Sequence, residues 1–375
     1  MCNAGVCEVP GGDPGGVIDA SIVDARVCFG AGLVHVCLMK PPDQPVSYSG
    51  ATAIDTSNTT RCTQIVPQTG GPELCVVAGT TVTVGGIMTV TGSRPLVFIG
   101  ADSVNVPGTL DLSSTTSTNP PRFGAGANPL QGLCGNPVIP ESDSGGGGGG
   151  AGASLATRGG DGGTGDQNNS GDPPGSANGG VASAAQGAPA ALRGGCRGSN
   201  GGDGNIQQRG GAGGNGGGAV YLIASNAITI NGDVFASGAG GGASPTVAGA
   251  EQGGGGGGTG GMIGLDAPTI HIAGHVVANG GAGGGGGAFN IGGTPGGDGT
   301  TASWNVRAGR GTRGMGGGMG DGGDGAPGTA VGQADNVGGS PGIGGGGGGA
   351  GGLGIVWIDG TVSGGTMISP APTPH

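Results

Sequence analysis

The chain has 375 residues, of which 105 are glycine and 25 proline, a low-complexity composition rather than an ordinary globular one. Glycine does not recur strictly at every third position over long spans, and proline is scarce inside the glycine tracts, which excludes a collagen triple helix. The formal net charge is -11, from 23 acids against 12 bases with a single lysine, Lys40, so nothing here makes the basic face that nucleic acid requires.

The segment 1–70 reads as a cysteine-containing N-terminal segment and cap. Its opening, MCNAGVCEVPGGDPGG, lacks the basic start and apolar stretch of a secretory signal. No window approaches eighteen apolar residues, so no transmembrane helix is expected. The cysteines argue for an oxidising compartment all the same. Cys2, Cys7, Cys28, Cys37, Cys62, Cys75, Cys134 and Cys196 are even in number, in a chain poor in large apolar residues. The expectation is a secreted or outer-surface protein whose export signal has been removed or lies outside this sequence. Sequential pairing, 2–7, 28–37, 62–75 and 134–196, is one connectivity among about 105. Alternatively, Cys2 is a lipidated N-terminus, and one of the other seven stays unpaired. No Cys-x-x-Cys pair supports zinc.

From residue 71 a repeat emerges. VTVGGIMTV at 82–90, VNVPGTLDL at 104–112, ITINGDVFA at 228–236 and IHIAGHVVA at 270–278 all read apolar-x-apolar-x-Gly-x-apolar-x-apolar. VSGGTMI at 362–368 is a weaker fifth copy, read as keeping the glycine and losing the first apolar position. Period-2 alternation of this kind means strands with one buried face. The inward set is Val82, Val84, Met88, Val90; Val104, Val106, Leu110, Leu112; Ile228, Ile230, Val234, Ala236; and Ile270, Ile272, Val276, Ala278. Gly86, Gly108, Gly232 and Gly274 mark a bend, through positive φ or close backbone approach. A second apolar run precedes each copy: LCVVA, PLVFIGA, AVYLIAS, MIGLDA and LGIVWID, the last containing Ile355 to Ile358 as a final strand.

Spacing between copies is 22, 124, 42 and about 90 residues, with glycine-rich sequence making up the excess. The insertions fall at one recurrent place, at about 113–218, 238–261 and 280–352. The predicted fold is therefore all-β: a β-solenoid like a parallel β-helix over 71–368, with long glycine-rich insertions and a tail at 369–375. A sandwich or another sheet is the alternative. Fixing a glycine costs about 0.5–1 kcal/mol more than fixing an alanine, so apolar burial alone does not order the tracts. Gly-Gly-X triplets such as GGAGGNGGG at 210–218 point to packed polyglycine helices of the three-residue type, with solvated loops as the alternative. Tracts 145–218, 238–261 and 280–352 are then expected side by side.

GTLDLSS, the GAGAN turn, the GGGGGG tracts and GGGAVYLIA resemble the glycine-rich exported proteins of myxobacteria. Many of these are described as lipoproteins without assigned activity, and the resemblance implies location rather than chemistry. The architecture is also similar to the parallel β-helix class that includes pectin and pectate lyases, although no lyase motif carries over.

Side-chain chemistry is sparse. His271 and His275 lie about 13 Å apart along a straight strand, too far to share an ion without a sharp bend at Gly274, even with Asp266 nearby. GGDGGTGD, GGDGN and GMGDGGDG lack the spacing of calcium-binding repeats, and no tract ends in the Gly-Lys-Ser/Thr of a phosphate loop. The outward columns read Thr83, Asn105, Thr229, His271; Ile87, Thr109, Asp233, His275; Thr89, Asp111, Phe235, Val277; and Thr91, Ser113, Ser237, Asn279. They hold no paired-carboxylate column for glycoside chemistry. The last column, small and polar, suits hydrogen-bonded stacking or a hydrated face for ice or glycan. Asn58-Thr59-Thr60 and Asn168-Asn169-Ser170 match glycosylation acceptors.

The reading is a non-enzymatic cell-surface or extracellular structural protein without a cofactor or metal. Its alternatives are a glycan- or ice-binding adhesin and a polysaccharide-active β-helix enzyme. The expected partners are surface or extracellular polysaccharide, or further copies of the chain, with no nucleic acid. Protein folded under oxidising conditions is predicted to carry at least three disulfides, read as mass shifts on alkylation before and after reduction; eight free thiols would contradict the extracytoplasmic placement.

Overall fold

A computed structural model describes residues 2–3, 6–7, 26–129, 132–143, 145–165, 177–204, 209–246, 251–288, 291–299, 308–312, 344–364 and 367–373. In chain order the strands are β1 (Cys2–Asn3), β2 (Val6–Cys7), β3 (Val27–Phe29), β4 (Val36–Leu38), β5 (Val46–Tyr48), β6 (Thr52–Asp55), β7 (Gln64–Val66), β8 (Leu74–Val84), β9 (Ile87–Thr91), β10 (Leu96–Val106) and β11 (Thr109–Asp111). They continue with β12 (Ala219–Ala224), β13 (Ala227–Ile230), β14 (Asp233–Phe235), β15 (Met262–Ile272), β16 (His275–Val277), β17 (Ile355–Gly364) and β18 (Ile368–Ser369). No α-helix occurs among the described residues, and a 3-10 turn spans Thr59–Arg61. The protein is all-β with parallel sheets.

Two sheets organise it. The eight-stranded sheet holds β5, β7, β8, β10, β12, β13, β15 and β17; the six-stranded sheet holds β6, β9, β11, β14, β16 and β18. All their pairings are parallel except that of β7 with β8. Each repeat copy gives one strand to the large sheet and, past its glycine, one to the small sheet. Register follows the repeat: Val46, Val82, Val104, Ile228, Ile270 and Val362 stand side by side in the large sheet. In the small sheet the matching column is Thr52, Met88, Leu110, Val234, Val276 and Ile368.

This register revises two sequence readings. VSYSGATAI at 46–54 is a further copy, in the segment read as a cap. Thr52 at an inward position hides it from an apolar pattern search. In the last copy Val362 takes the first inward position, opposite Ile270, while Gly364 faces Ile272, so it is the second apolar position that is lost.

Every residue of the predicted inward set is fully buried and belongs to one core between the sheets. The apolar runs that precede the copies are buried on both faces, which is why they lack alternation. Leu96, Phe98, Val220, Leu222, Ile263 and Leu265 point into that core. Val97, Ile99, Tyr221, Ile223, Met262 and Ile355 point outward into a second cluster, with Phe29, Val34, Val36 and Leu38 of the β3–β4 hairpin and with Leu155 and Leu192.

At the corner, Gly86, Gly108, Gly232 and Gly274 do not use positive φ. Close approach explains them: a Cβ on Gly108 would strike the carbonyl oxygen of Gly86, on Gly232 that of Gly108, and on Gly274 that of Gly232. The stacking of the corners, not the identity of the residue in the preceding copy, thus requires glycine at each of these positions.

The insertions leave after β11, β14 and β16 and return before β12, β15 and β17. Their described tracts bond backbone to backbone with a three-residue period. Gly147, Gly150 and Ala153 donate to Glu251, Gly254 and Gly257; Gly254, Gly257 and Gly260 donate to Gly346, Gly349 and Gly352; Gly346, Gly349 and Gly352 donate in turn to Gly147, Gly150 and Ala153. The three tracts therefore lie against one another. The segment 251–261 is enclosed by 147–153, 196–202, 211–217, 236–242, 281–287 and 346–352, and its residues are buried.

A Cβ on Gly254 would strike the carbonyl oxygen of Gly284 and lie 2.8 Å from the carbonyl carbon of Gly285, whereas one on Gly50 meets nothing within 4 Å. Gly254→Ala is predicted to destabilise by at least about 1–3 kcal/mol through overpacking, against a change within about 1 kcal/mol for Gly50→Ala, read from thermal melts.

Candidate functional site

The most regular uncovered surface is the outer face of the large sheet, over the second half of its long strands. Two adjacent columns run across it. One is Thr81, Ser103, Ala227, Thr269 and Thr361; the other is Ser47, Thr83, Asn105, Thr229, His271 and Ser363. All are exposed or half-buried. Strand geometry spaces them about 4.7–4.9 Å between neighbours in a column and roughly 6.6 Å between columns. Neighbouring side chains touch: Ser103 Oγ donates to Thr81 Oγ1 at 3.4 Å, and His271 Nδ1 lies 3.3 Å from Ser363 Oγ. The result is a regular grid of hydroxyl, amide and imidazole groups.

The column expected to form a hydrated face does the opposite. Ser113, Ser237 and Asn279 are buried, with Ser113 Oγ accepting from Ser237 N at 3.1 Å and Ser237 Oγ from Asn279 N at 3.3 Å. Phe235 and Val277, also read as outward-facing, are buried too. The glycine tracts leave from these strand ends, and the third insertion runs against Ser237 and Asn279, where a Cβ on Gly299 would lie 2.8 Å from Ser237 Cβ and from Asn279 O. Of the stacking and hydrated-face readings of this column, stacking holds.

A second feature is a cleft of about 450 Å³ lined by Asp55, Ser57, Thr91, Gly92, Pro120, Pro121, Arg122 and Phe123. Phe123 is 50% exposed there. Arg122 is engaged with Asp111 at 2.6 Å and with Ser113 O at 2.9 Å, leaving the aromatic ring and Asp55 as the accessible groups.

His271 and His275 fall on different sheets. His275 Nδ1 pairs with Asp233 at 2.7 Å while His271 faces Ser363, so they form no joint site. Among the tract acids, Asp161 binds Arg158 and accepts from Ala182 N at 2.8 Å, and Asp203 accepts from Gly210 N at 3.1 Å. Asp166, Asp321 and Asp324 lie outside the described residues, as do Asn168-Asn169-Ser170. Asn58 is exposed and caps the 3-10 turn, its Oδ1 accepting from Thr60 N at 3.1 Å.

Among the described residues three disulfides are present: Cys28–Cys37, Cys62–Cys75 and Cys134–Cys196. The backbones of Cys2 and Cys7 stand opposite each other in the β1–β2 pair, and their side chains lie outside the described residues.

Sequence reasoning missed one acid pair. Asp266 and Asp359 are neighbours in register on β15 and β17, at the ends of MIGLDA and LGIVWID, where only strand alternation was sought. Asp266 is 6% exposed, and its Oδ2 accepts from Ala31 N at 2.8 Å and Gly32 N at 3.0 Å. Tyr221 Oη accepts from Leu33 N at 3.1 Å. Burial, reinforced by the charges of Asp266 and Asp359, pushes the Tyr221 phenol well above its ordinary pKa. These groups hold the β3–β4 loop on the sheet; they are a latch rather than an acid–base pair, because the amides of that loop occupy Asp266.

No family model matches the chain, and comparison with curated proteins and with solved structures finds no match. Among the described residues no helix is long and apolar enough to cross a membrane.

Asp266→Ala leaves two amides without their acceptor and is predicted to cost about 1–3 kcal/mol, with faster proteolysis in the segment 30–34. The folded state favours the neutral Tyr221 phenol, so this contribution to stability is present below about pH 10 and is lost as pH rises above it. Tyr221→Phe is predicted to flatten the alkaline fall in denaturant midpoint; an unchanged fall would contradict the assignment.

Proposed function

We propose that the protein is a non-enzymatic structural module of the cell surface or extracellular space: a β-solenoid scaffold whose turns carry a bundle of polyglycine-II-type helices. The observation that carries this reading is the enclosure of 251–261 by other glycine tracts, with hydrogen bonds at every third residue. A bundle of this kind fills volume with backbone alone. Three disulfides suit an oxidising compartment, and the resemblance to exported glycine-rich proteins of myxobacteria agrees with a surface location. A lipid anchor at Cys2 belongs to the same proposal.

The adhesin reading has its own support. The grid on the large sheet is periodic in two directions, an arrangement suited to a repeating solid or polymer rather than to a small solute, which prefers a concave pocket. Surface polysaccharide is the partner proposed for it. Phe123 in its cleft adds an apolar platform beside a carboxylate, at the side of the small sheet.

Incubation with cell-wall and matrix polysaccharides separates the readings. The structural reading predicts no new reducing or unsaturated ends, and reproducible release of oligosaccharides would overturn it in favour of an enzyme. The adhesin reading predicts co-sedimentation with insoluble polysaccharide that falls at least tenfold in Thr229→Glu, with the melting temperature unchanged.

A further inference from the structure

We propose that the Cys28–Cys37 disulfide is a reducible cross-strand link, and that its two thiols, once freed, form with His35 a binding site for a thiophilic divalent cation, Zn²⁺ above all.

Cys28 and Cys37 sit directly opposite each other in the β3–β4 pair. His35 is two residues before Cys37 and shares its outward face, since Val34, Val36 and Leu38 are all buried. One ligand atom from each of Cys28, His35 and Cys37 lies within 4.8 Å of the others. A tetrahedral zinc with bonds of about 2.0–2.3 Å separates its ligand atoms by roughly 3.5–3.8 Å, within reach of side-chain rotation from this arrangement. Three protein ligands leave the fourth position to water.

Exposure distinguishes this disulfide from the others. Cys28 is exposed and Cys37 half-buried, with His35 exposed beside them, whereas each of the other two disulfides joins a half-buried cysteine, Cys62 or Cys134, to a fully buried one, Cys75 at 0% or Cys196 at 2% exposure. Thiol–disulfide exchange requires a thiolate to reach a sulfur, so an exposed bond opens first. The co-reactant is a dithiol. Its thiolate attacks the Cys28 sulfur and breaks the Cys28–Cys37 bond; Cys37 leaves as thiolate and takes up a proton. The second thiol of the reductant then displaces Cys28 from the mixed disulfide. Two electrons pass to the protein, and the reductant ends as a disulfide. On binding, zinc releases one proton from each thiol and takes a neutral imidazole nitrogen of His35.

The hairpin does not need its disulfide to stay in place. Phe29, Val34, Val36 and Leu38 pack into the second core, and Ala31, Gly32 and Leu33 hydrogen-bond to Asp266 and Tyr221. The three ligands therefore remain in register after reduction.

The test uses the full chain with Cys2→Ser and Cys7→Ser, so that no other N-terminal thiols compete. Dithiothreitol treatment with alkylation mapping is expected to label Cys28 and Cys37 at least tenfold faster than Cys134 and Cys196. The reduced chain, titrated with Zn²⁺ alone, is expected to bind one equivalent, and Co²⁺ to give thiolate-to-metal absorption. His35→Ala is expected to weaken zinc at least tenfold while amide exchange in 27–38 stays slow. Equal reduction rates, no stoichiometric zinc, loss of hairpin protection on reduction, or zinc binding unchanged in His35→Ala would each overturn the proposal.

Discussion

The structure depends on one constraint: a buried backbone amide must find an acceptor, and in a tract with few side chains most acceptors must be the carbonyls of neighbouring backbones. An extended three-residue helix makes no hydrogen bonds within itself. Its N–H and C=O groups point outward in three directions per turn, so each tract needs neighbours on all sides. The segment 251–261 has them. Gly254 donates to Gly346 and accepts from Gly150, Gly255 donates to Gly242 and accepts from Gly284, and Gly256 donates to Ser199 and accepts from Gly214; the next triplet repeats the pattern. Glycine is required here for closeness rather than for unusual dihedrals, because carbonyl groups of neighbouring tracts occupy the places where Cβ atoms would stand.

Such a bundle needs a template, since chains without side chains have little to set their register. The sheets provide it. The tracts leave from equivalent strand ends and return to equivalent strand starts, so their first residues are already aligned by the pairing of β11, β14 and β16. The buried ladder Ser113–Ser237–Asn279 continues that alignment past the last strand residues. Cys134–Cys196 ties the two halves of the first insertion together, and Cys196 N donates to Thr259 Oγ1 at 2.9 Å on the central tract. Asp298 performs a similar role, its Oδ1 accepting from Thr116 N at 2.8 Å and Gly240 N at 3.0 Å, which joins all three insertions.

The strands were legible in the sequence because their inward positions are apolar and alternate. The corner glycines were legible as positions, though not in their reason, since close approach between copies depends on register that a single copy does not display. Val46 to Ile54 escaped because Thr52 breaks the apolar pattern while still pairing with Met88. The outward columns were assigned as solvent-facing from alternation alone. That failed for Ser113, Ser237, Phe235 and Val277, which are buried at the strand ends from which the glycine tracts, carrying no apolar signal, depart. The Asp266–Asp359 pair escaped for a related reason: it lies where strands are buried on both faces and period-2 logic has nothing to read. The hydroxyl grid was half legible, in the column from Thr83 to His271, but its partner column from Thr81 to Thr361 precedes the repeat as it was first delimited.

Amide hydrogen exchange on the central tract is the most direct measurement. If 251–261 is hydrogen-bonded on all sides, its amides should exchange on the timescale of the core strands β10 and β15, and protection should fall in all three insertions together when Gly254 is replaced by alanine. Exchange of 251–261 as fast as that of a free glycine peptide, with β10 and β15 still protected, would contradict the account.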